Sequence, residues 1–305
     1  MRTIRGLESY PPDGPPAVVA LGVFDGVHLG HRAILSTAVG RARATGLAAV
    51  ACTFEPHPME VLQPERAPLP ITTLEERLAL VARTGIDVAL VVAFTPEFAA
   101  LEPEAFVKDV LLGRLRGREV VVGFNHTFGR GARGDAGLLQ ALGDRLGFAA
   151  HVVPPLIIDG VQVSSSEVRA AIERGEVERA ARYLGRPYGL QGEVVAGAGR
   201  GRTLGFPTAN VDVGQRLVPA PGVYACWAEV RGARHRAVVN IGVRPTFGEE
   251  LRVVEAHLLD FAGSLYGTVL GLLFVRRLRE ERRFPGPDAL RDQIGRDVDA
   301  ARRCL

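Results

Sequence analysis

Lysine is almost absent from this chain of 305 residues, because arginine supplies nearly all of the positive charge and Lys108 is the only lysine. A Walker A phosphate-binding loop requires a lysine directly after a glycine. Lys108 instead stands between a valine and an aspartate. The sequence therefore excludes a kinase of the P-loop class.

Cysteines are also few: Cys52, Cys226 and Cys304 are odd in number and lack the spacing of a disulfide or zinc framework, which indicates a reducing compartment. No apolar run approaches the roughly 18 residues that span a bilayer, and the amino-terminal segment lacks a hydrophobic signal core. The formal charge of +3 is too small to indicate nucleic acid as the main partner. We expect a cytoplasmic protein with no membrane and no nucleic-acid partner.

The length suffices for two domains. Up to about residue 186, short apolar runs rich in valine and alanine alternate with helical patterns, which is typical of strands buried on both faces. This half is predicted to be a doubly wound parallel α/β sheet. Its predicted strands are Ala17–Leu21, Leu47–Phe54, Asp87–Phe94, Glu119–Gly123 and Phe148–Val153. Its predicted helices are Arg32–Thr45, Leu74–Thr84, Pro103–Leu115, Ala136–Leu146, Ser165–Glu173 and Val177–Leu184.

The pattern changes after residue 186, where short strands alternate with glycine and proline turns. Spacing of this kind favours a small antiparallel β-barrel or sandwich. The predicted strands are Gly192–Ala196, Val223–Val230, Arg236–Ile241, Val253–Leu259 and Val269–Val275. A terminal helix follows Pro287, with Leu290, Ile294, Val298 and Ala301 on one face. We predict two domains, residues 1–186 and 187–305.

The turn from Gly22 to His31 follows the first predicted strand and leads into a helix. Glycines permit close backbone approach, and a helix N-terminus offers unpaired N–H groups to an anion. The imidazoles of His28 and His31 can donate hydrogen bonds to phosphate oxygens. This turn predicts a nucleotide-phosphate site. Metal ligation is the weaker alternative, because the third ligand would be His57 and no cysteine pair supports it.

Three further segments of the first half suit the same region. Asn125 follows a predicted strand, and ligands of such sheets bind beyond the carboxyl ends of strands. The segment Gly129–Gly134 matches GxGxxG, but it lies late in the sheet and lacks the acidic partner, so we interpret it as a basic, phosphate-facing loop. Ser164 and Glu167 have capping-box spacing, although three hydroxyls and Arg169 at a helix start also suit an anion. A second capping box is predicted from Thr72 and Glu75 at the start of the second helix.

Two segments of the second half allow both a structural and a functional interpretation. The stretch 199–210 is glycine-rich and basic, as in a surface loop or in a phosphate cradle where Thr208 and Asn210 supply oxygens to Mg²⁺. Further on, strand alternation places Glu255 and His257 on one face. A solvated polar face would produce the same alternation, whereas in an active site Glu255 would be the general base for a hydroxyl.

Taken in order, these segments resemble the family of bacterial bifunctional riboflavin kinase/FAD synthetases along nearly the whole chain. The segments that carry the resemblance are the Gly22–His31 turn, Thr53–Pro58, the Asn125 segment, the Ser164–Arg169 segment, Leu184–Tyr188, Gly205–Asn210, Pro221–Tyr224, Asn240–Gly242, Glu255–Phe261 and Arg279–Phe284. The resemblance implies an FMN adenylyltransferase domain at 1–186 and a riboflavin kinase domain at 187–305. Such an enzyme phosphorylates riboflavin to FMN and then transfers an adenylyl group from ATP to FMN, giving FAD and pyrophosphate.

The resemblance also implies roles for individual residues. His28, His31 and Arg169 would act in adenylyl transfer, and Glu255 would be the base of the kinase. Substrate or nucleotide contacts would fall on Gly22, Phe24, Asp25, Asn125, Ser165, Ser166, Arg200, Gly201, Gly205, Pro207, Thr208 and Asn210. Mg²⁺ would bind at the last two of these, with ATP as co-substrate.

Two positions depart from the family pattern: Ser166 replaces the usual threonine, and His126 stands where an aromatic residue such as phenylalanine is usual. The expected partners are riboflavin, FMN and ATP, and the sequence leaves homo-oligomer formation open. Two alternative functions are a nucleotidyltransferase for a non-flavin phosphate with a non-catalytic second half, and a flavin-binding regulator without turnover.

Overall fold

The structure, a computed structural model, describes residues 1–196, 201, 204–245 and 250–305. The chain divides into a first unit, Met1–Ser165, and a second unit, Ser166–Leu305. The domain boundary predicted after residue 186 lies downstream of this division and stays a prediction.

Strands of valine and alanine form the centre of the first unit. In chain order its strands are β1 (Arg2–Arg5), β2 (Ala17–Leu21), β3 (Ala48–Glu55), β4 (Val88–Ala93), β5 (Gly117–Gly123), β6 (Thr127–Phe128), β7 (Gly134–Asp135), β8 (Ala149–Val153), β9 (Ile157–Ile158) and β10 (Val161–Gln162). Six of them form a parallel sheet in the order β1-β4-β3-β2-β5-β8. Every residue of β2 is buried, as expected for a central strand covered on both faces.

Helices cover both faces of this sheet. They are α1 (Leu29–Thr45), α2 (Pro58–Leu62), α3 (Leu74–Ala82), α4 (Pro96–Ala99), α5 (Pro103–Ala105), continued by a π-helical segment Phe106–Arg114, and α6 (Ala136–Leu146). The buried side of α1 packs with Val18 and Ala20 on one face. The π-helical segment and α6 pack with Val19 and Leu21 on the other. Alternate residues of β2 thus contribute to two separate cores, and the predicted doubly wound sheet is confirmed.

The strand order places a topological switch point at β2 and β5. Connections from β2 run through β3 to β4 on one side, whereas β5 and β8 lie on the other side. Ligands of open α/β sheets bind beyond the carboxyl ends of the strands at such a point. The turn that follows β2 and the Asn125 turn that follows β5 therefore lie at the same edge of the sheet.

The second unit begins with α7 (Ser165–Glu173), whose first residue still belongs to the first unit, and α8 (Val177–Leu184). Its strands are β11 (Tyr188–Val195), β12 (Ala209–Asp212), β13 (Gly222–Val230), β14 (Ala233–Pro245), β15 (Glu250–Leu258) and β16 (Val269–Arg279). They close into an antiparallel barrel in the order β11-β12-β15-β14-β13-β16. Closure leaves no unpaired sheet edge, and the predicted barrel is confirmed.

The terminal helix α9 (Pro287–Cys304) packs on the barrel through Val298 and Ala301. A buried polar network fixes its position, because Asp297 accepts hydrogen bonds from Arg279 at the end of β16, at 2.8 and 3.0 Å, and from Gln293 at 2.8 Å. The helix and the end of β16 are thereby joined.

The sequence-based predictions differ from the structure at particular elements. The strands β1 and β12 are absent from the prediction, and the helix predicted over Pro103–Leu115 is largely π-helical. The capping box predicted from Thr72 and Glu75 was wrong by one residue. Thr73 caps α3 and pairs with Glu76, because the hydroxyl of Thr72 is bonded to Asp25 instead.

The network around α9 predicts that the loss of either of two aspartates, each in contact with an arginine, has very different effects on the free energy of unfolding. Replacing the buried Asp297 (Asp297→Ala) leaves the guanidinium of Arg279 without its carboxylate, so we expect the barrel to lose about 3–5 kcal/mol of unfolding free energy. The matched control Asp260→Ala removes the exposed pair with Arg302 and should cost about 0–1 kcal/mol. Urea unfolding followed by the fluorescence of Trp227, the single tryptophan, measures both. Equal losses would contradict the role given to Asp297.

Candidate active sites

The turn after β2 has an unusual backbone. Phe24 has φ 55°, Gly26 has φ 76° and Val27 has φ 38°, a conformation that non-glycine residues adopt rarely. Gly22 accommodates the ring of Phe24, since a Cβ atom at position 22 would lie 2.8 Å from its Cε1. The turn then enters α1 directly, so the backbone N–H groups at the start of that helix lie at the carboxyl edge of the sheet.

The two histidines of the turn stack on each other. His28 is the N-cap of α1, and its Nδ1 accepts a hydrogen bond from the backbone N–H of His31 at 3.2 Å. The ring centroids are 3.6 Å apart and the planes meet at 20°. Because Nδ1 of His28 is an acceptor, the neutral ring is assigned with its proton on Nε2. A Cβ at Gly30 would lie 3.1 Å from the ring of His28, so glycine allows the ring to lie against the first turn of the helix.

Asp25, a predicted nucleotide contact, is bonded to protein groups. Its carboxylate accepts hydrogen bonds from the backbone N–H groups of Ile71 and Thr72 at 3.0 Å and from the hydroxyl of Thr72 at 3.0 Å. The same hydroxyl accepts from the N–H of Gly26 at 3.0 Å. In this structure Asp25 supports the turn, and its role in nucleotide binding stays a prediction.

Asn125 and Ser165 both lie at the edge of the sheet that carries the turn after β2. Asn125 is exposed on the turn that follows β5, with its Oδ1 above Gly123, 3.5 Å from the position of a Cβ there. The hydroxyl of Ser165 donates to the carbonyl oxygen of Asp25 at 3.2 Å. The first unit thus brings Asn125 and Ser165 to the edge that carries the histidines. Ser166 and Arg169 follow on α7 within the second unit, where Ser166 is exposed and Arg169 is partly buried.

The imidazole of His126 packs as an aromatic ring. It lies nearly parallel to Phe128, with centroids 6.0 Å apart and planes at 19°. Its Nε2 is buried and has no hydrogen-bond partner among the described residues. Burial lowers the pKa of His126 to about 4, so the ring is neutral at physiological pH.

The segment Gly129–Gly134 carries Arg130 and Arg133, both of which pair with Glu102. The carboxylate offsets part of the positive charge expected of this loop. Gly129 is required by a close approach, because a Cβ there would lie 2.8 Å from the backbone of Pro103. The role of the loop toward phosphate stays a prediction.

The metal alternative at the first site finds no support in the geometry. Nδ1 of His57 accepts a hydrogen bond from the N–H of Met59 at 3.1 Å and caps α2. Within the described ranges, no group of three or more histidine, cysteine, aspartate or glutamate residues could hold a metal ion.

In the second unit, three polar residues form a row across adjacent strands. Glu255 of β15 is directly opposite Asn210 of β12 and directly opposite Asn240 of β14. The three are partly buried, whereas Val254 and Ala256, which flank Glu255 on the other face of the strand, are buried. The predicted alternation is confirmed. A carboxylate flanked by two amides is the result.

The segment before β12 contacts His257, which lies two residues after Glu255 on β15. Nδ1 of His257 is 2.8 Å from the carbonyl oxygen of Pro207, and the His257 ring meets Phe206 edge-on at 5.5 Å. A Cβ at Gly201 would lie 3.0 Å from Oγ1 of Thr208, so the hydroxyl faces a space that any larger residue would fill. Gly205 has φ 87°. Arg200, also predicted at this site, lies outside the described residues.

Comparison with known proteins assigns the two halves. The FAD synthetase family model matches residues 11–167, and the riboflavin kinase family model matches residues 184–305. A bifunctional riboflavin kinase/FMN adenylyltransferase of Escherichia coli is 39% identical over 305 residues, 99% of this chain and 96% of its own length. One from Bacillus subtilis is 40% identical over 94% of this chain and 92% of its own length.

The chain belongs to the family of bifunctional riboflavin kinase/FMN adenylyltransferases. The predicted family is thereby confirmed. A solved structure from Streptococcus pneumoniae, described as a macrolide-efflux protein, has a TM-score of 0.91 with 31% identity and covers 99% of both chains. In this chain, no helix among the described residues is long and apolar enough to cross a membrane.

Three further residues lie beside the candidate sites. Arg77 of α3 is 5% exposed and bonds to the turn after β2. Asn240 borders Glu255, and Glu281 approaches the same strand, its Oε1 lying 2.9 Å from the position of a Cβ at Gly242. Asn240 and Glu281 gave a signal through the family resemblance, in the segments Asn240–Gly242 and Arg279–Phe284, whereas Arg77 gave none because its contacts join residues far apart in sequence.

The buried imidazole of His126 predicts a specific titration behaviour. Its NMR signals, assigned by their loss in His126→Phe, should not move between pH 5.5 and 8, since the folded ring takes up a proton only near pH 4. An unfolded histidine protonates near pH 6.5. The unfolded state therefore binds the extra proton first, and His126 should lower stability as the pH falls from about 6.5 toward 4. A midpoint near pH 6.5 in the folded protein would contradict this account.

Proposed function

We propose that the turn after β2 is the adenylyl-transfer site and that the row around Glu255 is the kinase site of this bifunctional enzyme. The observation that carries the first assignment is the capped N-terminus of α1, with its stacked histidines, at the switch point of the sheet. Family membership supplies the reactions: riboflavin and ATP give FMN and ADP, and FMN and a second ATP give FAD and pyrophosphate.

In the adenylyl transfer, a phosphate oxygen of FMN attacks the α-phosphorus of ATP, and the bond from that phosphorus to the oxygen bridging the α- and β-phosphates breaks, so that pyrophosphate leaves. The nucleophile is already an anion, so the step needs no general base. Nε2–H of His28, the ring of His31 and the guanidinium of Arg169 stabilise the charge that develops on the phosphates. Asn125 and Ser165 contact the nucleotide at the edge of the sheet.

In the kinase reaction, Glu255 accepts the proton of the 5′-hydroxyl of riboflavin as that oxygen attacks the γ-phosphorus of ATP, and ADP leaves. The support for this role is the register, which places Glu255 directly beside Asn210. Asn240 is directly opposite Glu255 on the other neighbouring strand.

The residues of the second site fit a magnesium ion. The hydroxyl of Thr208 and the amide oxygen of Asn210 are hard oxygen donors, and Gly201 keeps the space beside that hydroxyl open. Mg²⁺ typically takes few protein ligands and completes its shell with phosphate oxygens and water. When bound, it would offset the negative charge of the ATP phosphates. The cytoplasmic location stays a prediction, as does homo-oligomer formation.

If the two sites are separate, a variant in either one should lose one activity and keep the other. His28→Ala should reduce FAD formation from supplied FMN at least 100-fold and leave riboflavin phosphorylation unchanged. Glu255→Gln should reduce riboflavin phosphorylation at least 100-fold, because the amide cannot accept the proton, and leave FAD formation from supplied FMN unchanged. Chromatography of the flavins, with each substrate supplied separately, measures both.

A matched control for the first variant is His151→Gln, since His151 contacts Glu119 near the amino-terminal end of β5, away from the turn. It should retain both activities. A folded His28→Ala protein that lost the two activities equally, or neither, would contradict the separate sites.

The proposed oxygen ligands predict a change in the Mg²⁺ dependence of the kinase activity. Thr208→Val removes one donor at nearly constant volume, so the Mg²⁺ concentration for half-maximal kinase activity should rise several-fold, with adenylyl transfer unchanged. Thr268→Val is the control, because that hydroxyl donates within a turn of the same barrel, to Leu265 at 2.6 Å. The same Mg²⁺ dependence in both variants would argue against Thr208 as a ligand.

A further inference from the structure

We propose that Arg77 is a positioning residue for adenylyl transfer, which holds the turn after β2 in its reactive shape without touching substrate. The role rests on the proposed function of that turn. Nη1 of Arg77 lies 3.0 Å from the carbonyl oxygen of Val23, 3.1 Å from Oγ1 of Thr53 and 3.0 Å from the carbonyl oxygen of Phe54. Nη2 pairs with Glu55 at 2.7 Å. One buried guanidinium thus joins the turn after β2 to the end of β3.

The segment Ile71–Arg77, which we call the brace, contacts the turn at two places. At one end Ile71 and Thr72 donate to the carboxylate of Asp25, and the hydroxyl of Thr72 accepts from the N–H of Gly26. At the other end Arg77 donates to the carbonyl of Val23. The two ends of the brace therefore fix the backbone on both sides of Phe24.

The turn needs such support because its backbone is strained. Phe24 and Val27 are non-glycine residues with φ 55° and φ 38°. Conformations of this kind persist only where the surroundings determine them, and they occur at functional sites. Without the brace, the chain between Gly22 and His28 would relax toward ordinary angles, and the N-cap ring would move with it.

The chemistry of arginine suits this position better than that of lysine. The planar guanidinium presents donors in a fixed fork, so it can serve Val23, Thr53 and Glu55 at once. A lysine ammonium can reach fewer of these acceptors. The carboxylate of Glu55 is 43% exposed, so its ion pair with Arg77 is weak evidence for stability, whereas the other acceptors of Arg77 are backbone and side-chain oxygens at the edge of the site. We therefore infer that the guanidinium of Arg77 serves to fix the geometry of the turn.

The experiment compares Arg77→Met and Arg77→Lys with the control Arg41→Met. Arg41 is likewise paired with a carboxylate, donating to the buried Glu119 at 2.7 and 2.9 Å. It lies near the C-terminal end of α1, the same helix whose N-terminus carries His28. The control thus removes an arginine–carboxylate pair from the same unit without reaching the turn.

The readouts are kcat and KM of FAD formation from supplied FMN and ATP, riboflavin kinase activity, and the imidazole NMR signals of His28 and His31. We expect Arg77→Met to lower kcat of adenylyl transfer about 100-fold, since a misplacement of about 1 Å can have that effect. KM should change less than kcat, and kinase activity should not change. Arg77→Lys should recover part of kcat. The signals of both histidines should shift in Arg77→Met and stay in place in Arg41→Met.

Several results would overturn the proposal. Wild-type kcat in Arg77→Met, unshifted histidine signals, or equal loss of kcat in Arg77→Met and Arg41→Met would each show that Arg77 does not position the turn. If Arg77→Met does not fold, Arg77→Lys provides the test. Wild-type kcat in Arg77→Lys would show that the planar guanidinium of Arg77 is not required to position the turn. A wild-type protein that forms no FAD from FMN would reject the proposed function itself, and the role of Arg77 with it, whereas the NMR comparison rejects Arg77 alone.

Discussion

The strained turn after β2 is the constraint on which the first unit depends. Two non-glycine residues, Phe24 and Val27, adopt left-handed angles there, and each such residue costs about 1–3 kcal/mol. The carboxylate of Asp25, buried and bonded to three donors, offsets that cost. The turn places a histidine at the N-cap of a helix that starts at the switch point of a parallel sheet. A relaxed turn would leave the N-terminus of α1 without the imidazole that caps it.

The sites proposed in the two units differ in the physical means by which they would handle phosphate groups. The first would use a helix N-terminus and imidazoles, a fixed set of donors around an anion that needs no base. The second uses a polar row across three antiparallel strands, in which Glu255 lies between two asparagines. A hydroxyl nucleophile must lose a proton and a phosphate nucleophile need not, so a carboxylate base in only one of the two sites agrees with the chemistry.

Much of this architecture could be predicted from local sequence, and the rest depends on distant contacts. The central strands and the Gly22–His31 turn are specified by short-range patterns, so they were predicted correctly. The capping register at Thr72 was wrong because its hydroxyl bonds to Asp25, 47 positions away. Arg77 could not be recognised, since its acceptors lie 22 to 54 positions away. Short strands such as β12 form only because neighbours in the barrel supply their hydrogen bonds.

The central claim is that one chain carries out both steps of FAD formation at separate sites. The most direct measurement is a time course of flavins, separated by chromatography, after mixing the purified protein with riboflavin, ATP and Mg²⁺. The account predicts that FMN forms first, that FAD follows, and that FMN supplied directly gives FAD without riboflavin. Unchanged riboflavin from folded protein, or FMN that accumulates without FAD even when it is supplied directly, would contradict it.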